Sequence, residues 1–190
     1  MDLLGGSLRS LTFDAAMAVN SRGTFYDAPR MAALLRHVEQ VSRGTGLRFG
    51  VEDFPLDADA LAWYRESLEP LLECPRFGML IDVGHLNLRR HAHPYFRGRS
   101  VGDYLAAAPL PVVEVHVHDN TGERDQHGHL GFGNIAFEEV AAGLRRIGFE
   151  GVSTIEIAPS FHGSTPAESR PRARESLARW RELWESSAAA

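Results

Sequence analysis

Val112-Val-Glu-Val-His-Val-His118 alternates strictly between valine and a polar, ligand-type side chain. Successive side chains of an extended strand point to opposite faces. Glu114, His116 and His118 therefore share one face, and Val113, Val115 and Val117 the other. The valines suit packing under outer helices, so the polar set must line the interior or the mouth of a sheet. Leu8–Phe13, Arg48–Glu52, Gly78–Asp82 and Val152–Ile157 read as further strands. Each is about five to seven residues long, as buried parallel strands are.

Helical spacing fills the gaps. Pro29–Arg43 carries Met31, Leu34, Leu35, Val38 and Val41 on one face. Asp57 is placed to cap a helix bearing Leu61, Tyr64, Leu68 and Leu71. Ser100–Ala107 predicts a shorter helix. Ala136–Ile147 aligns Val140, Leu144 and Ile147, and Gly148 stops it as a C′ residue. Pro166–Trp184 predicts the last helix, with Leu177, Trp180 and Trp184 on its buried side. Such alternation predicts an α/β fold of about five parallel β/α units. No linker or charge block divides them, so residues 1–185 read as one domain and 186–190 as a frayed tail.

Composition narrows the classes. Of 190 residues, 44% are hydrophobic and 24% charged, which excludes disorder and coiled coil. No run approaches the roughly 18 apolar residues of a membrane helix. Asp2 stands where a signal peptide would be basic, and Arg9 interrupts the first apolar stretch. The single cysteine, Cys74, excludes an intramolecular disulfide and Cys-rich zinc sites, and makes a reducing cytoplasm the expected location. A net charge of −5 gives no whole-chain attraction for nucleic acid.

The strand ends carry the chemistry. Glu52, Asp82, His116 and Glu156 stand at or near the ends of four of the five runs. One acidic strand end can be a mere helix cap; four metal-compatible ends are harder to dismiss. An α/β barrel keeps its chemistry at this end of its strands. Inward carboxylates and imidazoles are costly to bury unless a cation joins them. Such a donor set suits Mn, Mg, Co, Fe or Zn rather than a thiolate-seeking metal.

Four stretches carry a resemblance. They are Gly50-Val-Glu-Asp-Phe54, Ile81-Asp-Val-Gly-His-Leu-Asn87, the block His116–Gly133, and Gly148-Phe-Glu-Gly-Val-Ser-Thr-Ile-Glu156. Together they resemble the xylose-isomerase-like TIM-barrel superfamily of sugar (phosphate) isomerases and epimerases and endonuclease IV-type abasic-site nucleases. The resemblance runs from about Leu4 to the final helix. It implies an incomplete (β/α)8 barrel and Glu52, Asp82, His116 and Glu156 as ligands of a divalent ion (Mn, Mg, Co or Zn). It implies Glu52 and Glu156 as the paired acid/base groups of the epimerases, with His85 orienting substrate or serving a second site. Asp125 and His127 resemble the Asp-x-His pair that holds an additional metal in the nucleases; in isomerase-like members the same loop mainly shapes the pocket. The implied reaction moves a proton at carbon beside a metal-bound carbonyl of a small carbohydrate.

Departures from the pattern shape the alternatives. A full barrel has eight units in about 250 residues. This chain aligns from near the fourth strand, where Thr12-Phe13-Asp14 stands in place of a His-Pro-Gly-like sequence. A trinuclear nuclease cluster would lack histidines, so the abasic-site nuclease is the second reading. A non-catalytic metal-binding remnant is the third. Five strands cannot close an eight-stranded ring, so self-association into a homo-oligomer is expected to cover the open edges.

Other residues have plainer readings. His37 reads as an exposed helical residue. His91, His93, Arg89, Arg90, Arg97 and Arg99 read as a solvated basic loop after the third strand, with phosphate or carboxylate recognition as the alternative. His162 reads as a surface residue, and Trp63, Trp180 and Trp184 as core. His118 and His129 read as pocket residues without a role.

Overall fold

The computed structural model describes residues 8–14, 18–20, 23–25, 28–52, 68, 71–92, 98–106, 108, 110–158 and 164–186. Among the described residues the strands are β1 (Ser10–Asp14), β2 (Ala18–Asn20), β3 (Gly23–Phe25), β4 (Arg48–Glu52), β5 (Phe77–Asp82), β6 (Val112–Val117) and β7 (Val152–Ile155). Among the described residues the helices are α1 (Ala28–Val41), α2 (Val83–Ala92), α3 (Val101–Ala106), α4 (Phe137–Arg146) and α5 (Pro166–Ser186). Five strands form one parallel sheet in the order β1-β4-β5-β6-β7, an incomplete TIM-type barrel. Register pairs Asp14 with Glu52 across β1 and β4, and Glu52 with Leu80 across β4 and β5. β2 and β3 form a separate antiparallel pair that the sequence reading did not anticipate.

The chain forms two compact units. One comprises Met1–Ile81, Pro109–Glu114 and Glu150–Val152. Phe49, Val51, Phe77, Met79 and Leu80 fill its core, with Met31, Leu35 and Val38 of α1. Arg76 ties its loops down, donating to Ser42 Oγ at 2.7 Å and to the Leu47 carbonyl at 3.0 Å. Thr12 Oγ1 donates to Glu114 Oε2 at 3.3 Å, which gives the buried Glu114 a partner of its own.

Asp82–Ala108, Val115–Phe149 and Ser153–Ala190 make the other unit. Its helices are closed by local chemistry. Gly148 takes a φ of +67°, Gly148 N–H donates to the Arg145 carbonyl, and Phe149 N–H donates to the Leu144 carbonyl. Gly148 is thus the C′ residue the sequence predicted, and the two bonds make a Schellman closure. Thr165 and Glu168 form a reciprocal capping box at the start of α5, Thr165 N–H to Glu168 Oε2 and Glu168 N–H to Thr165 Oγ1. Trp180 packs edge-on against Phe137.

Several expectations change. Residues 83–92 form α2 where a loop was expected, so Arg89, Arg90 and His91 lie on a helix. Val41 is exposed because α1 ends there, and Leu177 is exposed because only a narrow stripe of α5 (Ser169, Ser176, Trp180) is buried. β7 ends one residue before Glu156. The helix predicted to start at Asp57 lies largely outside the described residues, as do Trp63, His93, Arg97, His162 and most of the frayed tail.

Candidate metal centre

Asp82 ends β5 and starts α2. Its Oδ1 accepts a hydrogen bond from the backbone N–H of His85 at 2.8 Å, the three-residue reach of an N-cap. The helix-cap reading of an acidic strand end is therefore right for Asp82. The same carboxylate also faces imidazoles. His118 Nε2 lies 2.9 Å from Oδ1 and 3.1 Å from Oδ2. His116 Nδ1 lies 3.8 Å from Asp82 Oδ2 and 3.0 Å from Glu156 Oε2.

A second group adjoins the first. Asp125 Oδ2 lies 3.0 Å from His127 Nε2 and 3.2 Å from His85 Nε2. His127 Nδ1 is 3.7 Å from Glu156 Oε2, and its ring stacks on His118 with centroids 3.9 Å apart and planes at 10°. Ligand-type atoms of Asp82, His118 and Glu156 all fall within 4.8 Å of one another, as do those of His85, His118, Asp125 and His127. His127 adopts a left-handed backbone, φ 44°, which costs a non-glycine residue about 1 kcal/mol and turns up at functional sites.

The cluster fits a cation. The Asp82 side chain is wholly buried, and His118 is 0% exposed. His118 Nδ1 and Asp125 Oδ1 are buried and have no hydrogen-bond partner among the described residues. Carboxylate and imidazole donors this close suit a borderline or hard divalent ion.

Burial pushes the Asp82 carboxyl up, but the hydrogen bond and charge of His118, with the charge and backbone N–H of His85, outweigh it and hold the group below its ordinary range. The neighbouring His116 ring holds Glu156 below its ordinary range too, against partial burial and the Asp82 charge. Both carboxyls titrate lower folded than unfolded, where values are about 3.9 for Asp and 4.3 for Glu. Their contribution to stability is complete above those unfolded values and is lost as pH falls through the lower folded ones. Urea denaturation of the metal-free protein at a series of pH values should show this loss below about pH 4. The Asp82→Asn protein should show a shallower decline; an identical decline would remove Asp82 as its source.

The loop Asp119–Asn134 holds the second group in place. Asp119 accepts from Gly131 N–H at 2.9 Å and Ile135 N–H at 3.2 Å, and pairs its backbone with Gly128. Asn87 Nδ2 donates to Asn120 Oδ1 at 2.9 Å and to Asn134 Oδ1 at 2.8 Å, and Asn120 Nδ2 donates to the Gly84 carbonyl at 2.9 Å. α2 is thereby tied to the loop that supplies Asp125 and His127.

Of the residues chosen from sequence, Asp82, His85, His116, Asp125, His127 and Glu156 come together in this unit. Glu52 ends β4 in the other unit, half-buried, paired in register with Asp14 and with Leu80, two residues before Asp82 in the chain. Sequence reasoning left His118 without a role and missed the Asn87–Asn120–Asn134 network. The available signal was the alternation of Val112–His118, which put His118 on the face of His116.

A family model described as xylose isomerase-like TIM barrel matches residues 30–183. The chain belongs to the xylose isomerase-like TIM-barrel family. Uncharacterized protein MJ1311 of Methanocaldococcus jannaschii is 30% identical over 125 residues, 64% of this chain and 41% of that protein. The chain thus spans about two fifths of that relative's length. Among solved structures, a D-tagatose 3-epimerase-like protein aligns with a TM-score of 0.56 at 22% identity, over 95% of this chain and 64% of that one. An L-ribulose 3-epimerase aligns with a TM-score of 0.61 at 16% identity, over 95% and 63%. At these identities the structural likeness establishes the family's fold. No described helix is long and apolar enough to cross a membrane.

Proposed function

We propose that this protein is a divalent-metal-dependent isomerase or epimerase of a sugar or sugar phosphate. One observation carries the reading: Asp82, His116 and Glu156, at or beside the ends of three different strands, converge on contacts of 3.0 to 3.8 Å. Likeness in fold to an epimerase-like protein and an L-ribulose 3-epimerase supports it. Asp82, His116 and Glu156 would hold the ion, with Glu52 as fourth ligand on the family resemblance. When bound, the ion would polarise a substrate carbonyl and stabilise negative charge developing on its oxygen. Glu156, kept ionised by His116, is suited to take a proton from carbon, and Glu52 is the assigned partner for the opposite face. His85, anchored to Asp125, would orient a substrate hydroxyl.

The test is direct. The chain loaded with Mn2+ and offered a panel of ketoses and ketose phosphates in D2O should place deuterium at the carbon beside the carbonyl. Bound metal with no exchange across the panel would favour the non-catalytic remnant. A chain that binds no divalent ion would reject the reading.

The grouping of His85, Asp125 and His127 favours a second reading, an additional ion as in the abasic-site nucleases. It predicts more than one ion per chain and cleavage of abasic DNA.

His118 provides a finer check. Its Nε2 is positioned to donate to Asp82, as outer partners of ligating carboxylates do. His118→Phe keeps the stack on His127 but removes the donor. Metal affinity should fall by about 10- to 100-fold, the usual cost of losing such a partner. Isothermal titration with Mn2+ measures it, and unchanged affinity would remove His118 from the site's support.

A further inference from the structure

Beside the cluster lies a cavity of about 520 Å³, within the size range of small-molecule sites. Asp125 forms part of its wall, so the cavity and the metal-ligand cluster share a residue. Arg124 and Arg172 line it together with His129, Ser169 and Phe132. The two arginines come from different elements, the loop after β6 and the second turn of α5. Neither makes an ion pair with a described residue within 4.0 Å; Glu168, one turn before Arg172, feels its charge only at longer range. Asp125, the one carboxylate of the wall, already faces the imidazoles of His85 and His127. Two arginines that are exposed and unpaired among the described residues line one cavity, where a serine hydroxyl and an imidazole can add hydrogen bonds. Guanidinium pairs of this kind match the charge and the oxygen geometry of a phosphate group. Phe132 and Ile157 add apolar surface of the sort a sugar face packs on.

We propose that this cavity is a phosphate subsite, and that the substrate of the neighbouring metal centre is a sugar phosphate monoester. The second clause rests on the isomerase/epimerase reading; the first does not. Arg124 and Arg172 grip the phosphate and set which sugars are accepted, while the reacting carbons lie toward the Asp125 wall. The basic loop singled out in the sequence, Arg89 to Arg99, is not the source of these charges.

Calorimetric titration of the metal-free full chain with inorganic phosphate tests the subsite without competition from a metal ion. Arg124→Ala and Arg172→Ala should each weaken phosphate binding about tenfold or more, as expected for a lost charge-assisted bond. Acetate should bind more weakly than phosphate. Arg181→Ala, an exposed arginine elsewhere on α5, serves as the control and should change nothing. No phosphate binding at about 10 mM, far above a useful affinity, would overturn the proposal. So would equal affinity in the Arg124→Ala/Arg172→Ala protein, or a preference for acetate. With Mn2+ bound, the ratio of kcat/KM for D-ribulose 5-phosphate over D-ribulose should exceed one and collapse in the double variant, chiefly through KM. A ratio below one in the wild type, or one unchanged in the double variant, would sink the substrate assignment. If neither sugar turns over, the isomerase reading fails by itself, and the phosphate titration still decides the subsite.

Discussion

The His116→Ala/Glu156→Gln protein is expected to lose its divalent ion. Elemental analysis after dialysis should find about one ion per chain in the wild type, as one ligand set implies, and essentially none in the double variant. The magnitude follows from what the two side chains do. His116 Nδ1 and Glu156 Oε2 stand 3.0 Å apart, and His116 also faces the buried Asp82. Losing an outer partner of a metal ligand already costs about 10- to 100-fold in affinity, so losing two ligands should exceed that. Glu156→Gln keeps the shape and removes the charge. His116→Ala removes a nitrogen donor from a side chain that is only 15% exposed, so its cavity has little access to a replacement. Circular dichroism and urea denaturation of both proteins without metal separate ligand loss from unfolding. Unchanged metal content in a folded double variant would reject the site.

Gly84→Ala should destabilise the protein even though alanine is the better helix former. Gly84 lies in the first turn of α2, and a Cβ there would sit 1.9 Å from His118 Cε1 and 2.5 Å from both ring nitrogens. The ring has no route of retreat. His118 is fully buried, its Nε2 is bonded to Asp82, and its face lies on His127. Helix propensity favours alanine by about 1 kcal/mol; overpacking a filled interior costs about 1–3 kcal/mol, occasionally more. Here the overlap is with a ring locked on three sides, so the cost should take the upper end and leave a net loss of about 2 kcal/mol. Gly102→Ala is the control. Its Cβ would meet nothing nearer than 3.7 Å, so that substitution in α3 should be neutral or stabilising. If Gly84→Ala and Gly102→Ala gave the same urea midpoint shift, the packing of His118 against α2 would be wrong. The displaced ring should also weaken Mn2+ binding in Gly84→Ala, which ties the steric effect to the site.

Much of this was legible because it is local. β4 runs over Arg48–Glu52 as the sequence predicted, and Gly148 closes α4 as a C′ glycine, because periodicity and backbone conformation are encoded within a few residues. The failures have local causes too. Residues 83–92 contain glycine, asparagine and three basic or imidazole residues in sequence, which read as a polar loop; Asp82 caps them into a helix, and Leu86 and Asn87 are buried on its inner side. Leu177 looked buried by type, but the buried stripe of α5 passes through Ser176, whose hydroxyl bonds Leu130 N–H and the Arg172 carbonyl. Small polar residues let that helix approach closely, and apolar type alone does not reveal it.

The five parallel strands, helices α1, α3, α4 and α5, the strand-end donors and the kind of ion they suit are properties of the sequence itself. Each depends on residue identity and on spacings of two or of about three and a half, which the chain carries wherever it lies. Which donors meet was decided only by the tertiary structure. Asp82 and His118 are 36 residues apart in the chain, and His85 and Asp125 are 40. Their contact depends on the neighbouring of β5 and β6, on a loop pinned by asparagines, and on a glycine that leaves room for a ring. Those are distances across elements, and no local periodicity encodes them.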